Sequence, residues 1–158
     1  EPVPGKEEYL DSEKYEIKPR DYTAPGNITY EITQLNRIRR ENRALQTHLG
    51  VAFYPVHNDR LLYFGKRTDD LGNFILVMVN LDPFEAQEGP FELPLWEFGL
   101  PDDGSIAARD LVSGNDFTWH GKMQDITLGP DRPYAAFQLF GPRKDDAPAL
   151  YNDLRGEE

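Results

Sequence analysis

Asp and Glu together number 28 in a chain of 158 residues, so a carboxylate pair is the first chemistry to consider. Two carboxyl groups roughly 5–10 Å apart, one with a raised pKa, can cleave or transfer a glycosidic bond. Raising a pKa takes burial or a like-charged neighbour. The acids here stand in turn signals, Asp69-Asp70 and Asp102-Asp103, or near the chain ends. They read as turn formers and solubilising charge. His48, His57 and His120 are the only histidines, none with a ligand at i+4, so no metal site is expected. His120 lies in a Trp119-His120-Gly121 turn and reads as a hairpin residue. No Ser sits in a nucleophile elbow, and no phosphate loop or EF-hand loop is present. No catalytic residue and no cofactor is assigned on this basis.

Aromatic residues offer a binding chemistry instead. A flat ring can stack on the apolar face of a pyranose, and Trp96, Phe98, Trp119 and Tyr134 are the rings to weigh. Trp119 alternates with Phe117 along a strand pattern, so both should point inward. Trp96 follows Leu95 near a strand end and is the ring expected to be exposed for sugar stacking.

Composition bounds the partners. The formal net charge is -11, which repels polyanions, so nucleic acid and anionic membrane are not expected as partners. A neutral polysaccharide carries no such penalty. The chain has no cysteine, which removes disulfides and thiolate chemistry and fits the cytoplasm as compartment. No apolar run approaches the roughly 18 residues that span a bilayer. The chain begins at Glu1 with neither Met nor a signal-peptide pattern, and is expected to be trimmed or cut from something longer.

The elements that must position these residues fall into three stretches. Residues 1–26 are polar and punctuated by Pro and Gly, and cannot bury much surface alone. Residues 27–48 form the one helical pattern, with Asn27 as a plausible cap. Ile28, Ile32, Leu35, Ile38 and Leu45 recur on one helix face, with Arg37, Arg39, Arg40 and Arg43 largely on the others. An apolar stripe of this kind favours association, and a homodimer is one possibility. From Val51 the period becomes that of strands: 51–56, 60–66, 74–81, 91–95, 106–111, 116–119, 123–128 and 134–140. Turn signals such as Asp70-Leu71-Gly72-Asn73 and Ser113-Gly114-Asn115 separate them. The almost continuous apolar run from Phe74 to Val79 predicts a central strand covered on both faces. The fold class is therefore mainly β, an antiparallel β-sandwich preceded by one α-helix. Residues 143–158 read as a disordered tail.

Several of these stretches carry a resemblance. EPVPGKEEYLDSEKYE from Glu1, Pro25-Gly26-Asn27-Ile28, LNRIRRENRALQ from Leu35 and VNLDPFEAQEGPFELPL from Val79 resemble the C-terminal part of the bacterial α-1,4-glucan:maltose-1-phosphate maltosyltransferases, in glycoside hydrolase family 13. The resemblance runs from about Glu1 to Arg143. It implies a (β/α)8 catalytic barrel followed by a β-sandwich. Residues 1–50 would be the end of the barrel, with helix 27–48 its last helix, and residues 51–142 the C-terminal domain. Related family 13 amylases and trehalose synthases share that architecture.

The activity implied is transfer of a maltosyl unit from maltose 1-phosphate to an α-1,4-glucan or maltooligosaccharide. The nucleophilic aspartate and the general-acid glutamate of the family lie on barrel strands before residue 1, so this chain is expected to be catalytically silent. The family's sugar pocket uses a Lys-Tyr pair matching Ser12-Glu13-Lys14-Tyr15, which makes Lys14 and Tyr15 substrate-binding residues. An ammonium and a phenol are good donors to sugar hydroxyls. One departure bears on the helix: where the family commonly reads Glu-Asn-Pro-Ala-Leu, Arg43 stands in the Pro position. Loss of a helix stop predicts that the helix runs further.

Overall fold

A computed structural model describes residues 4–5, 19 and 21–142. The chain divides into two units, residues 1–33 and 34–158.

In the first unit a turn precedes the helix. The amide and hydroxyl of Thr23 donate to Asp21 Oδ1 at 2.8 and 2.6 Å. Asn27 Oδ1 accepts the Thr29 amide at 3.0 Å, the capping role expected of it. Helix α1 spans Thr29–Glu41, shorter than the 27–48 pattern. Asn42 leaves the helix with φ -119 and ψ 110, and a 3-10 turn follows at Arg43–Leu45. The missing proline therefore does not lengthen the helix. Asn42 Nδ2 donates to the Ile38 carbonyl at 2.8 Å, where the backbone amide of a continuing helix would bind. Of the expected apolar stripe, Ile28, Ile32 and Leu35 are exposed, while Ile38 is buried.

The second unit begins within α1 and so holds its end, Asn42 and the 3-10 turn; among its described residues eight strands form two sheets. They are β1 (Val51–Phe53), β2 (Leu61–Arg67), β3 (Phe74–Asn80), β4 (Gln87–Glu92), β5 (Ser105–Asp110), β6 (Asp116–His120), β7 (Met123–Leu128) and β8 (Tyr134–Phe140). Six of them make one sheet in the order β1-β2-β3-β8-β5-β6, and β4 pairs with β7 in the other. All pairings are antiparallel. The run from Phe74 is central, between β2 and β8, as its continuous apolar character requires.

The expected first strand, 51–56, ends at Phe53, with a last bond from the Tyr54 amide to the Tyr63 carbonyl at 3.3 Å, and the segment then changes sheets. Pro55 has no amide to give the ladder. Beyond it Val56 bridges to Phe91, and His57 donates its amide to the Pro90 carbonyl at 2.9 Å. The segment thus ties the two sheets together at one corner. Gly121, at φ 77, turns the chain from β6 into β7 at another.

The core lies between the sheets. Phe74, Leu76 and Met78 of β3 meet Tyr63 of β2, Ala135 and Leu139 of β8, and Phe91, Leu93 and Leu128 from the other side. Phe117 and Trp119 point inward, as expected. Their rings lie edge to face at 4.8 Å, and Trp119 meets Phe137 at 5.0 Å. On the outer face of the large sheet, Ile75 and Ala136 are buried although they lie outside that cluster. The 3-10 turn at Arg43–Leu45 packs on β2 and β3 there, with Ala44 fully buried. Gln34 Nε2 donates to the Val112 carbonyl at 3.2 Å, and the Tyr134 hydroxyl donates to Gln34 Oε1 at 3.1 Å.

Candidate functional site

Trp96 stands on a 3-10 turn, Leu95–Phe98, rather than at a strand end. Pro94 precedes the turn and Gly99, at φ 66, closes it, its amide donating to the Trp96 carbonyl at 3.1 Å. The turn drives Leu95 and Phe98 into the core and leaves Trp96 47% exposed. Its ring lies edge-on to Tyr54, with centroids 5.9 Å apart and planes at 70°.

Beside the ring sits a fixed polar group. The Tyr54 hydroxyl donates to Glu97 Oε1 at 3.1 Å, and Arg67 Nη2 is 3.3 Å from Glu97 Oε2. Burial pushes the Tyr54 phenol well up, and the Glu97 charge adds to the effect. The phenol therefore holds its proton, and its donor role, more firmly than an exposed tyrosine. A half-exposed indole next to a carboxylate already held by a phenol and a guanidinium is suited to binding. It offers no second carboxyl group for acid and base roles.

Asp70, Asp110 and Asp102 are engaged in turns or ion pairs. Asp70 accepts the Thr68 hydroxyl and the Gly72 amide. Asp110 accepts the Val112 and Ser113 amides, the Ser113 hydroxyl and Arg132 Nη2. Burial pulls the Asp110 carboxyl up, and these donors outweigh it and hold it below the ordinary range. Asp102 pairs with Lys122 at 3.0 Å. His120 Nδ1 lies 2.8 Å from the Ser105 hydroxyl, so it is tied to the hairpin as expected. Among the described residues no group of three His, Asp or Glu side chains could hold a metal ion. No described helix is long and apolar enough to cross a membrane.

Lys14 and Tyr15 lie outside the described residues. The VNLDP motif does not line a site; it organises a turn. Asn80 Nδ2 donates to the carbonyls of Glu85 and Leu128, both at 2.9 Å, and its Oδ1 accepts the Asp82 amide at 2.8 Å. Asp82 Oδ1 takes the amides of Phe84 and Glu85, while Oδ2 takes Arg60 Nη1 at 2.9 Å. These two buried polar residues knot the end of β3 to β7. The motif as a sequence shows Asn and Asp at a turn, a signal for side-chain-to-backbone bonding, but not their burial.

Sequence and fold both have known counterparts. The family model described as GLGE, C-terminal, matches residues 53–138. A relative from Pseudomonas aeruginosa bearing the name α-1,4-glucan:maltose-1-phosphate maltosyltransferase is 67% identical over 128 residues, covering 81% of this chain and 19% of the relative. A relative of the same name from Cereibacter sphaeroides is 51% identical over 142 residues, covering 89% and 21%. This chain thus spans about a fifth of the length of the curated relatives it matches.

Among solved structures, the α-amylase from Geobacillus thermoleovorans, complexed with acarbose, superposes with a TM-score of 0.53 at 15% identity, over 77% of this chain and 24% of that one. A maltogenic α-amylase from Thermotoga neapolitana gives 0.50 at 16% identity, over 75% and 28%. At such identities the likeness is one of fold, a mainly antiparallel β-domain. The matched segment is that fold from β1 through β8, and the chain belongs to the GLGE C-terminal family.

Proposed function

We propose that this chain is the C-terminal β-domain, with the last barrel helix before it, of an enzyme that moves maltosyl units from maltose 1-phosphate to α-1,4-glucan. The observation that carries this reading is the 67% identity over 128 residues with a relative of that name. In it residues 1–50 belong to the end of the barrel and 51–142 to the β-domain. Lys14 and Tyr15 hydrogen-bond the donor maltosyl unit, and the chemistry stays with carboxylates of the barrel. The enzyme works in the cytoplasm.

The β-domain has a scaffolding role in this reading. Leu35 is exposed on α1, and Phe53 is 71% exposed beside Phe64, with ring centroids 6.2 Å apart. Apolar side chains left bare like this are what a neighbouring domain covers. Concentration-dependent light scattering separates this from a homodimer, in which a second copy would cover these side chains.

The activity itself is tested on the complete protein and on this chain. The complete protein should release phosphate from maltose 1-phosphate when a maltooligosaccharide is supplied, and this chain alone should not. Lys14→Ala in the complete protein should raise KM for maltose 1-phosphate more than it lowers kcat. Phosphate release by this chain alone would refute its silence.

A second reading, glucan binding through Trp96, is favoured by the half-exposed ring beside Glu97 and Arg67. Trp96→Ala should then weaken retention of the chain on an amylose column.

A further inference from the structure

Helix α1 carries two rows of residues that are treated differently. Gln34, Ile38 and Asn42 recur every four residues; Gln34 is half-buried, and Ile38 and Asn42 are buried. Roughly 100° round the helix lie Ile28, Ile32 and Leu35. That apolar row is left 63%, 50% and 45% exposed.

The first row is latched at both ends. Gln34 Nε2 donates to the Val112 carbonyl at 3.2 Å, and Gln34 Oε1 accepts the Tyr134 hydroxyl at 3.1 Å. Tyr134 opens β8 opposite Val79, at one end of the β3–β8 pair. At the other end Asn73, just before Phe74, donates to Asn42 Oδ1 at 3.0 Å and accepts the Ala44 amide at 3.0 Å. Ile38 between them supplies apolar burial, which has no direction and would let a helix turn or slide. The bonds of a side-chain amide do have direction. Those of Gln34, with the Asn42–Asn73 pair, set the rotation and the axial position of this part of α1 against the sandwich. Burial alone would favour an apolar residue at position 34.

We propose that Gln34 is a positioning residue for the transfer reaction: through its bonds to Tyr134 and Val112 the β-domain fixes the helix from which the donor-binding segment is hung. This rests on the maltosyltransferase reading above, in which α1 is the last barrel helix and Lys14 and Tyr15 hold the donor. In (β/α)8 barrels the loops that contact substrate run from strand ends into the following helices. In that reading Lys14 and Tyr15 stand on such a loop, and the start of α1 is its far anchor. The exposed row of Ile28, Ile32 and Leu35 agrees with it, since an apolar row left bare on a helix calls for a cover. The β-domain then shapes donor binding without touching the sugar. Gln34 acts through α1 on Lys14 and Tyr15. A misplacement on the order of 1 Å can cost about a hundredfold in rate, and losing one of two latches should cost less.

The test is steady-state kinetics of the complete protein, with maltose 1-phosphate varied at saturating maltooligosaccharide. Gln34→Met keeps side-chain length and helix propensity but removes both bonds. It should raise KM for maltose 1-phosphate about three- to tenfold and hold kcat within about twofold, the signature of weakened ground-state binding. Tyr134→Phe keeps the ring and removes one of the bonds. It should raise KM less, and it decides the matter if Gln34→Met does not fold. Phe91→Leu loosens the core between the sheets and should leave KM unchanged. An equal rise there would make the effect one of stability and overturn the proposal. In the Lys14→Ala background Gln34→Met should add little, because both changes act on one contact. Full addition, a silent Lys14→Ala included, would overturn the proposal. A rise in KM with Lys14→Ala and none with Gln34→Met or Tyr134→Phe would sink the latch and leave the maltosyltransferase reading standing. No phosphate release by the unaltered complete protein would sink both.

Discussion

Asn73 Nδ2 donates to Asn42 Oδ1 at 3.0 Å, and the two amides, 31 residues apart, join a network in which Asn42 is buried and Asn73 half-buried. Asn42 Nδ2 binds the Ile38 carbonyl, and Asn73 Oδ1 accepts the Ala44 amide at 3.0 Å. One end of the network stops α1 and the other starts β3. Removing either partner leaves polar groups at least partly out of water and unpaired, which costs about 1–3 kcal/mol where burial is full. Asn42→Ala and Asn73→Ala should each lower stability by that order in urea denaturation. The double variant should lose less than the sum, because the second truncation removes a group already orphaned. Strict additivity would show that the two amides do not act together.

The same network makes a second substitution informative. Arg43 occupies the first position of the 3-10 turn, and Asn42 before it is extended, at φ -119 and ψ 110. A residue preceding proline is confined to that region, and proline's fixed φ suits the first turn of a helix. Arg43→Pro should therefore be neutral or stabilise by about 0.4–1 kcal/mol, through a more restricted unfolded chain. A fall in Tm would mean that the Arg43 side chain or amide holds the turn in a way the fold does not indicate.

These residues mark the limit of what could be read along the chain. The run from Phe74 to Val79 announced a central strand, since an uninterrupted apolar strand must be covered twice. β4 was half visible. Phe91 and Glu92 fell inside the expected strand, but Gln87-Glu88-Gly89-Pro90 carries no apolar alternation. It pairs with β7 on a sheet of only two strands, where just Phe91 is fully buried. Trp96 was legible as an exposed ring because it follows the last core leucine, yet its 3-10 turn is set by Pro94 and Gly99 together. Asn42 and Asn73 carry no local signal for each other.

Gly65 shows how tightly the sandwich closes. A Cβ built there would lie 2.6 Å from Tyr54 Cε2, 3.2 Å from Phe74 Cε1 and 3.3 Å from Leu76 Cδ2. The absent side chain is what lets the Tyr54 ring lie across β2, 6.3 Å from Phe74 and 5.9 Å from Trp96. Gly65→Ala should destabilise by about 1–3 kcal/mol, the usual cost of overpacking a core. Because Tyr54 must move, the near-ultraviolet circular dichroism of Trp96 should change too. Loss of stability with an unaltered tryptophan signal would place the strain on Phe74 and Leu76 instead.

Asp82 is one of the carboxylates that tie the stability of the fold to pH. The amides of Phe84 and then Glu85 hold its carboxyl below the ordinary range; burial opposes them, and Arg60 and Gln87 add to the lowering. A group whose folded pKa is lowered binds fewer protons folded than unfolded, so it stabilises the fold at higher pH. That contribution is complete above about pH 4, the unfolded carboxylate range. It drains away as pH falls through the lowered folded value. Asp110, lowered in the same direction, adds to the slope. Asp82→Asn keeps the shape but offers one acceptor in place of two, so Arg60 or the turn amides lose a partner. The variant should be clearly less stable than the parent chain near neutrality. The gap should narrow below about pH 4 as the parent's own carboxyl protonates. Thermal melts of both proteins across that range decide it: a gap that stays constant with pH would show that Asp82 stabilises the turn by its shape and not by its charge.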